Sequence, residues 1–246
     1  PIISSELSDV ELLVEVKEGS EQSFLTYVKS LDELKTERAF QLRNTDNTTL
    51  DQFYAIDILD ESPQNIKAFK SKLEKRKEVM FVEINETIKI PENPVSNYKK
   101  QPPANYLFED PLNADQWSME KTHMNDVFDF ILNNKPTHRA RLFIIDTGVD
   151  SGHEDLQDVF IPTKSKNDYD KKGHGTHCAG IAGAMTGNGI GISSFNGNGI
   201  FDISSVKVLS DYGIGTQQSI INGMLEAIDS GADVISMSLG GMSSDK

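Results

Sequence analysis

The feature that most constrains this chain is a pair of motifs: an aspartate that ends an apolar run, and a histidine in a glycine-rich stretch. The run Leu142–Ile145 predicts a buried strand, and Asp146 follows it directly. The stretch Gly173–Gly180 places His174 where a loop leads into a helix, and its small residues allow close packing. An acid at the end of a buried strand and a histidine at a helix start are two members of an acyl-transfer triad. The two motifs therefore favour an acyl-transfer enzyme.

The composition of the chain limits its classes of partner. The 38 acidic and 24 basic residues give a net charge of −14, which argues against a nucleic-acid surface because phosphates would repel it. No apolar run approaches the ~18 residues that span a membrane. The segment after Pro1 lacks the pattern of a signal peptide, and the start without methionine leads us to expect that an original N-terminus was removed. A secreted or extracellular protein fits these features.

Residues 1–90 are predicted to form a separate α+β domain. Strand and helix patterns alternate in the order βαββαβ, which is that of the ferredoxin-like split unit. The predicted elements are strands at Val10–Val16, Glu37–Leu42, Phe53–Ile58 and Val79–Ile84, with helices at Gln22–Leu31 and from Pro63 to about Lys77. Residues 91–105 follow as a proline-rich, extended linker with no core of its own. This fold alone does not identify a function.

Residues 106–246 are predicted to form an α/β domain with a doubly wound parallel sheet. Three apolar strands occur in this region, and each is followed by or leads to a helix, as in parallel sheets. The predicted strands are Leu142–Asp146, Val206–Leu209 and a segment that begins at Asp233, and the predicted helices are Met124–Leu132, His174–Met185 and Gln217–Asp229.

Taken by themselves, the residues leave other chemistries open. The Asp-Thr-Gly sequence at 146–148 also occurs in aspartic proteases, where two carboxylates share a proton and no histidine is needed. His174 and His177 could hold a metal ion, although no third ligand has the spacing found in zinc proteases. Ser238 could be proposed as a nucleophile, but its position lacks the tight strand-to-helix turn of a nucleophile elbow. Cys178 is either a reactive thiol or a small buried residue.

Three motifs in succession resemble the subtilisin-like serine proteases. They are Asp-Thr-Gly-Val-Asp-Ser-Gly-His-Glu-Asp-Leu at 146–156, Gly-His-Gly-Thr-His-Cys-Ala-Gly at 173–180 and Ser-Leu-Gly-Gly at 238–241. The resemblance extends over about residues 110–241. It implies that Asp146 orients His174, which acts as the general base for a catalytic serine.

The resemblance also implies a substrate cleft between two segments of backbone. One wall is formed by Gly213, Ile214 and Gly215, and the other by Ser238, Leu239 and Gly240, beside the pocket for the residue before the scissile bond. A peptide held between these walls as an extra strand needs only backbone hydrogen bonds, which permits broad specificity.

A structural calcium ion is a further implication of the resemblance. Its expected ligands are oxygens, which Ca²⁺ prefers. They come from the carboxylates of Asp110 and Asp155, the side chain of Asn188 and the backbone carbonyls of Ile190 and Ile192.

For residues 1–90, the resemblance implies an inhibitory propeptide that also assists folding and whose tail enters the cleft before it is cut. No nucleophilic serine motif follows in residues 241–246, so we expect the serine and the C-terminal remainder of the catalytic domain to lie outside this chain, as a separate chain or in a longer protein. The expected function is a serine endopeptidase in zymogen form that acts on protein or peptide substrates. The alternative is a catalytically inactive pseudoprotease that acts as a regulatory or inhibitory binding module.

Overall fold

The computed structural model describes residues 10–42, 48–91, 110–134, 136–164 and 169–241. Within these ranges the chain forms a four-stranded sheet, a three-stranded sheet and a short two-stranded sheet. The predicted linker at 91–105 lies outside the described residues, except for Pro91. Of the helices in the described ranges, none combines the length and the apolar character that crossing a membrane requires.

The N-terminal region folds as an α+β domain with an antiparallel sheet. Its elements are β1 (Leu12–Val16), α1 (Glu21–Lys29), β2 (Leu34–Arg38), β3 (Phe53–Ile58), α2 (Pro63–Glu74) and β4 (Val79–Ile84). The strands pair antiparallel in the order β2-β3-β1-β4. This is the predicted βαββαβ succession, and the bounds of β3 and β4 coincide with the predicted ones.

Both faces of this sheet are buried. Because side chains alternate along a strand, Leu12 and Val14 of β1 face one side and Leu13 faces the other. The first side packs against the two helices through Phe24 and Leu73. Leu13 belongs to a second cluster that also contains residues from beyond this domain. The sheet therefore needs a covering element on its second face.

The second strand was predicted at Glu37–Leu42, which was wrong by three residues at its start and four at its end. The structure places β2 at Leu34–Arg38, paired with β3. Ala39 and Phe40 follow the strand and are buried on the second face of the sheet. These two residues pack between the domains. A local sequence pattern cannot distinguish apolar residues buried in this way from apolar residues of a strand.

The C-terminal region folds around a parallel sheet. After β5 (Thr87–Lys89), its elements are α3 (Trp117–Lys121), α4 (Met124–Asn133), β6 (Ala140–Asp146), α5 (His174–Gly183), β7 (Phe201–Lys207), β8 (Ile214–Thr216), α6 (Gln217–Asp229) and β9 (Val234–Ser236). The described strands of the sheet run parallel in the order β7-β6-β9. Strand β6 lies in the middle: β7 pairs with it as far as Asp146, and β9 pairs with it over Leu142–Ile144.

Several predicted bounds in this region differ from the structure, and the start of β7 differs most. Strand β7 begins five residues before the predicted Val206, at Phe201, because Ser204 and Ser205 are buried strand residues despite their polar side chains. Helix α5 ends at Gly183 rather than Met185, because Ala184 has an extended backbone.

Candidate active site

Asp146 and His174 meet where the end of β6 faces the start of α5. Nδ1 of His174 lies 2.7 Å from Oδ1 of Asp146. The Asp146 side chain is fully buried, whereas that of His174 is 17% exposed. The amide of Thr147 also donates to Oδ1 of Asp146, at 2.7 Å. The adjacent backbone amide thus orients the carboxylate, which in turn contacts one nitrogen of the imidazole. The imidazole ring is partly exposed to solvent.

Two glycines allow this close approach of helix and strand. A Cβ on Gly175 would lie 2.1 Å from the carbonyl oxygen of Gly148, and a Cβ on Gly148 would lie 2.3 Å from the carbonyl oxygen of Tyr169. Gly148 also has a φ of +104°, which other residues rarely adopt. A side chain at Gly175 would push α5 away from the end of β6, and one at Gly148 would displace the backbone at Tyr169. The glycines of the two motifs therefore allow the histidine to reach the aspartate.

Asp170 connects the two motifs, although sequence analysis did not identify it as part of the site. Its carboxylate accepts hydrogen bonds from the Thr147 hydroxyl at 2.8 Å and the Gly173 amide at 2.9 Å. It also accepts from both the amide and the hydroxyl of Thr176, at 2.9 and 2.8 Å. Burial alone would raise the pKa of Asp170, but these hydrogen bonds lower it below its usual value. The sequence signal that could have identified Asp170 is its position just before a helix start, where carboxylates accept hydrogen bonds from backbone amides.

Cys178 lies next to the histidine but does not have the properties of a reactive thiol. Its sulfur is 4.0 Å from Nδ1 of His174. Burial raises the pKa of Cys178 above its usual value, although a hydrogen bond with Ser238 acts in the opposite direction. His177 is exposed, and the described residues that could share a metal ion with His174 are Asp146 and Cys178. The structure therefore does not bring together the His174–His177 pair that was considered as a zinc site.

The two predicted substrate walls lie on either side of β5, a strand from the chain's own N-terminal part. On one side β5 pairs antiparallel with β8, with Ile88 opposite Gly215 and Lys89 opposite Ile214. On the other side Lys89 and Gly240 exchange both backbone hydrogen bonds, each at 2.9 Å. Sequence analysis did not predict β5, because a three-residue strand has no periodic pattern of its own.

The other predicted wall residues lie at the same cleft. The carbonyl of Gly213 accepts a hydrogen bond from the amide of Ile90 at 3.1 Å. Ser238 is the hydrogen-bond partner of Cys178. Leu239 stands between Ser238 and Gly240 and is partly buried. The walls predicted at 213–215 and 238–240 are therefore two sides of one cleft, which the residues after β4 occupy.

The five residues predicted to bind calcium lie around the loop at 187–193. The carboxylate of Asp110 accepts hydrogen bonds from the amides of Gly187 and Gly189 at 2.9 and 3.1 Å, and that of Asp155 accepts from the amide of Ile192 at 2.9 Å. The Asn188 amide nitrogen also donates to Asp155, at 3.0 Å.

The chemistry of this group fits a hard cation. Asp110 and Asp155 are both buried, and burial together with the charge of Asp110 raises the pKa of Asp155. Two buried carboxylates supply the hard oxygen ligands that Ca²⁺ prefers. Asn188 presents its nitrogen to Asp155, so its amide would have to rotate to offer oxygen to an ion.

Comparison with known proteins finds similarity in sequence and in fold. The subtilase family model matches residues 140–246. Thermitase from Thermoactinomyces vulgaris is 44% identical over 107 residues, which cover 42% of this chain and 38% of thermitase. The thermophilic serine proteinase of Bacillus sp. (strain AK1) is 35% identical over 160 residues, 60% of this chain and 38% of that protein. The chain thus spans less than half the length of these relatives.

A solved structure shares the fold over nearly the whole chain. The epidermin leader peptide processing serine protease from Staphylococcus aureus superposes with a TM-score of 0.59 at 19% identity. The superposition covers 94% of this chain and 50% of that one. The predicted α/β, subtilisin-like fold class is therefore confirmed.

Proposed function

We propose that this chain, whose residues 140–246 match the subtilase family model, is part of a serine endopeptidase of the subtilisin type that hydrolyses peptide bonds in proteins or peptides. The observation that carries the proposal is the 2.7 Å contact between Nδ1 of His174 and the buried Asp146. The aspartate precedes the histidine along the chain, as in the Asp-His-Ser order of subtilisin.

In this proposal the histidine acts as general base and general acid. Asp146 accepts a hydrogen bond from the protonated Nδ1 of His174. Nε2 is then free to take the proton of an attacking hydroxyl. The buried carboxylate then stabilises the imidazolium, and Nε2 returns the proton to the leaving amine. The nucleophilic serine is proposed to lie outside residues 1–246, in the remainder of the catalytic domain.

The N-terminal domain is proposed to be an inhibitory propeptide, which makes the chain a zymogen. The position of β5 between Gly215 and Gly240 supports this, because a substrate strand would need the same backbone groups. The amides of Gln217 and Gln218, at the start of α6, also donate to the Glu86 carbonyl and the Asn85 side chain, both at 3.0 Å. The propeptide therefore caps a helix of the domain that it inhibits.

The second face of the N-terminal sheet gives the propeptide its apolar contact. Phe40 and Ala55 pack in one cluster with Ile221 and Leu225 of α6. The carbonyl of Ala39 accepts a hydrogen bond from the Gln218 side chain at 2.8 Å. This docking of a preformed sheet onto α6 is also the basis for a proposed role in folding the catalytic domain.

The C-terminal remainder of the catalytic domain, as a separate chain or in one longer protein, is a proposed partner of the described sheet. Val234 on β9 is 54% exposed and Ile228 on α6 is 59% exposed. Apolar residues at the outer strand of a parallel sheet are normally covered, because such sheets are buried on both faces. A covering segment from the same catalytic domain would remove this exposure.

A structural calcium ion and an extracellular location complete the proposal. Asp110, Asp155, Asn188 and the carbonyls of Ile190 and Ile192 would hold the ion, whose charge would offset that of the two buried carboxylates. The acidic net charge of −14 and an inhibitory propeptide suit a protease that is kept inactive until it leaves the cell.

The experiment that tests the proposal is a peptidase assay on the complete protein after removal of its N-terminal domain. Activity that a serine-directed phosphonylating reagent abolishes supports it. A complete protein that binds its own N-terminal domain but turns over no peptide in the presence of calcium would favour the pseudoprotease, because β5 fills the cleft in either case.

A further inference from the structure

The register of the strand in the cleft is fixed on both sides. Lys89 and Gly240 exchange both of their backbone hydrogen bonds, which makes them a hydrogen-bonded pair of an antiparallel ladder. On the opposite wall the amide of Ile90 donates to the carbonyl of Gly213 at 3.1 Å. A shift of one residue would break the bonds on both sides, so the register of Thr87–Ile90 in the cleft is determined.

This register brings Pro91 opposite Ser238. In an antiparallel ladder the hydrogen-bonded pairs recur at every second residue on each strand, so the pair after Lys89 and Gly240 is Pro91 and Ser238. That pair would require a backbone N–H at residue 91 to donate to the Ser238 carbonyl. Proline has no N–H, so the ladder cannot continue through this position.

The position where the ladder ends is next to the catalytic residues. Ser238 is hydrogen-bonded to Cys178, whose sulfur is 4.0 Å from Nδ1 of His174. The strand runs from Thr87 toward this point, so under the proposed function the residue opposite Ser238 presents its carbonyl to the catalytic residues. In a substrate that carbonyl carbon is the one attacked.

We propose that Thr87–Pro91 binds the cleft in the manner of a substrate but that the Pro91–Glu92 bond resists cleavage, because Pro91 removes the hydrogen bond that would hold the scissile residue. The inference rests on the proposed peptidase function. The bond that proline cannot make is one that positions the reacting carbonyl, and such positioning raises the rate of the chemical step. Pro91 also restricts Ile90 to extended conformations, so the segment is pre-organised for the cleft. The segment is thus an inhibitor of the protease and not its substrate.

A peptide of residues 86–95 and two variants at position 91 test this with the complete protease. The natural peptide should inhibit hydrolysis of a reporter peptide competitively and stay uncut after residue 91. The Pro91→Ala peptide should be cut between residues 91 and 92 at least ~10-fold faster, because it regains the N–H. A peptide with N-methylalanine at this position lacks both the N–H and the ring, and it should stay uncut. Lys89→Ala is the matched control and should remain uncut.

The outcomes separate the inference from the proposed function. Cleavage of the natural peptide after Pro91 at the rate of the alanine variant would overturn the inference, while hydrolysis of the reporter leaves the peptidase function intact. Rapid cleavage of the N-methylalanine peptide would overturn the role of the missing N–H. A protease that does not hydrolyse the reporter overturns both. In the complete protein, Pro91→Ala should release a fragment that ends at residue 91, which the natural protein does not produce.

Discussion

Nδ1 of His174 lies 2.7 Å from Oδ1 of Asp146, although the two residues are 28 positions apart along the chain. The carboxylate is fully buried and the imidazole is partly exposed. A buried anion next to one ring nitrogen orients the ring and stabilises its protonated form, while the other nitrogen remains accessible to a reactant.

Asp146→Asn in the complete protein is expected to lower kcat by about 10⁴-fold, because an amide cannot stabilise the imidazolium and favours the wrong tautomer. The substitution keeps the size of the side chain, so the melting temperature should change little. Asp158→Asn is the matched control, since Asp158 is exposed in the same region. Steady-state peptide hydrolysis measures both variants, and equal activity of the two would contradict the assigned role.

Asp170→Ala is expected to destabilise the catalytic domain by ~1–3 kcal/mol at neutral pH, since it leaves the amides of Gly173 and Thr176 and the Thr147 hydroxyl without their acceptor. The folded-state pKa of Asp170 lies below its usual value of 3.8, so its contribution is present above that pH and is lost as the pH falls through the lower, folded-state pKa. Thermal unfolding should therefore show a gap between wild type and variant at pH 7 that narrows toward pH 3. A gap that is constant with pH would mean that the carboxylate charge is not involved.

Calcium is expected to raise the melting temperature of the protein through Asp110 and Asp155. An ion present at 100 times its dissociation constant stabilises the folded state by ~2.7 kcal/mol. Asp155→Asn should abolish the calcium-dependent increase, whereas the exposed Asp158→Asn should retain it. Calorimetry with calcium and with a chelator provides the measurement. If wild type melts at the same temperature in both, the loop at 187–193 does not bind the ion.

Phe40→Ala is expected to weaken inhibition by the N-terminal domain, because Phe40 is buried in the cluster that contains Ile221 and Leu225 of α6. Loss of a buried phenyl ring typically costs ~3–5 kcal/mol, so the inhibition constant should rise at least ~10-fold. Phe81→Ala is the matched control, since Phe81 is 40% exposed on β4. Titration of the freed enzyme with each variant of residues 1–91 distinguishes them. An equal effect of both variants would indicate general destabilisation of the domain rather than loss of the contact.

Much of the fold followed from local patterns in the sequence. Strands β3 and β4 have the predicted bounds, because each begins and ends with an apolar residue that the sequence pattern identifies. The pairing of Asp146 with His174 could be predicted because strand ends and helix starts have local signals, and because glycines mark the close approach.

The parts that sequence analysis missed depend on contacts between distant segments. Strand β5 exists because Gly215 and Gly240 offer backbone groups on either side, more than 120 residues along the chain. Ala39 and Phe40 pack against α6, and Ala39 is 179 positions from its hydrogen-bond partner Gln218. Asp170 interacts with Thr147 across 23 positions. The sequences of the segments that make these contacts show no periodic pattern from which the contacts could be predicted.

The most direct test of the central claim is to treat the complete, activated protein with a serine-directed phosphonylating reagent and to locate the modified residue by mass spectrometry. The account predicts that peptide hydrolysis stops when one serine outside residues 1–246 is modified, and that His174→Ala prevents both hydrolysis and labelling. Labelling of Ser238, or peptide hydrolysis that persists in His174→Ala, would contradict it.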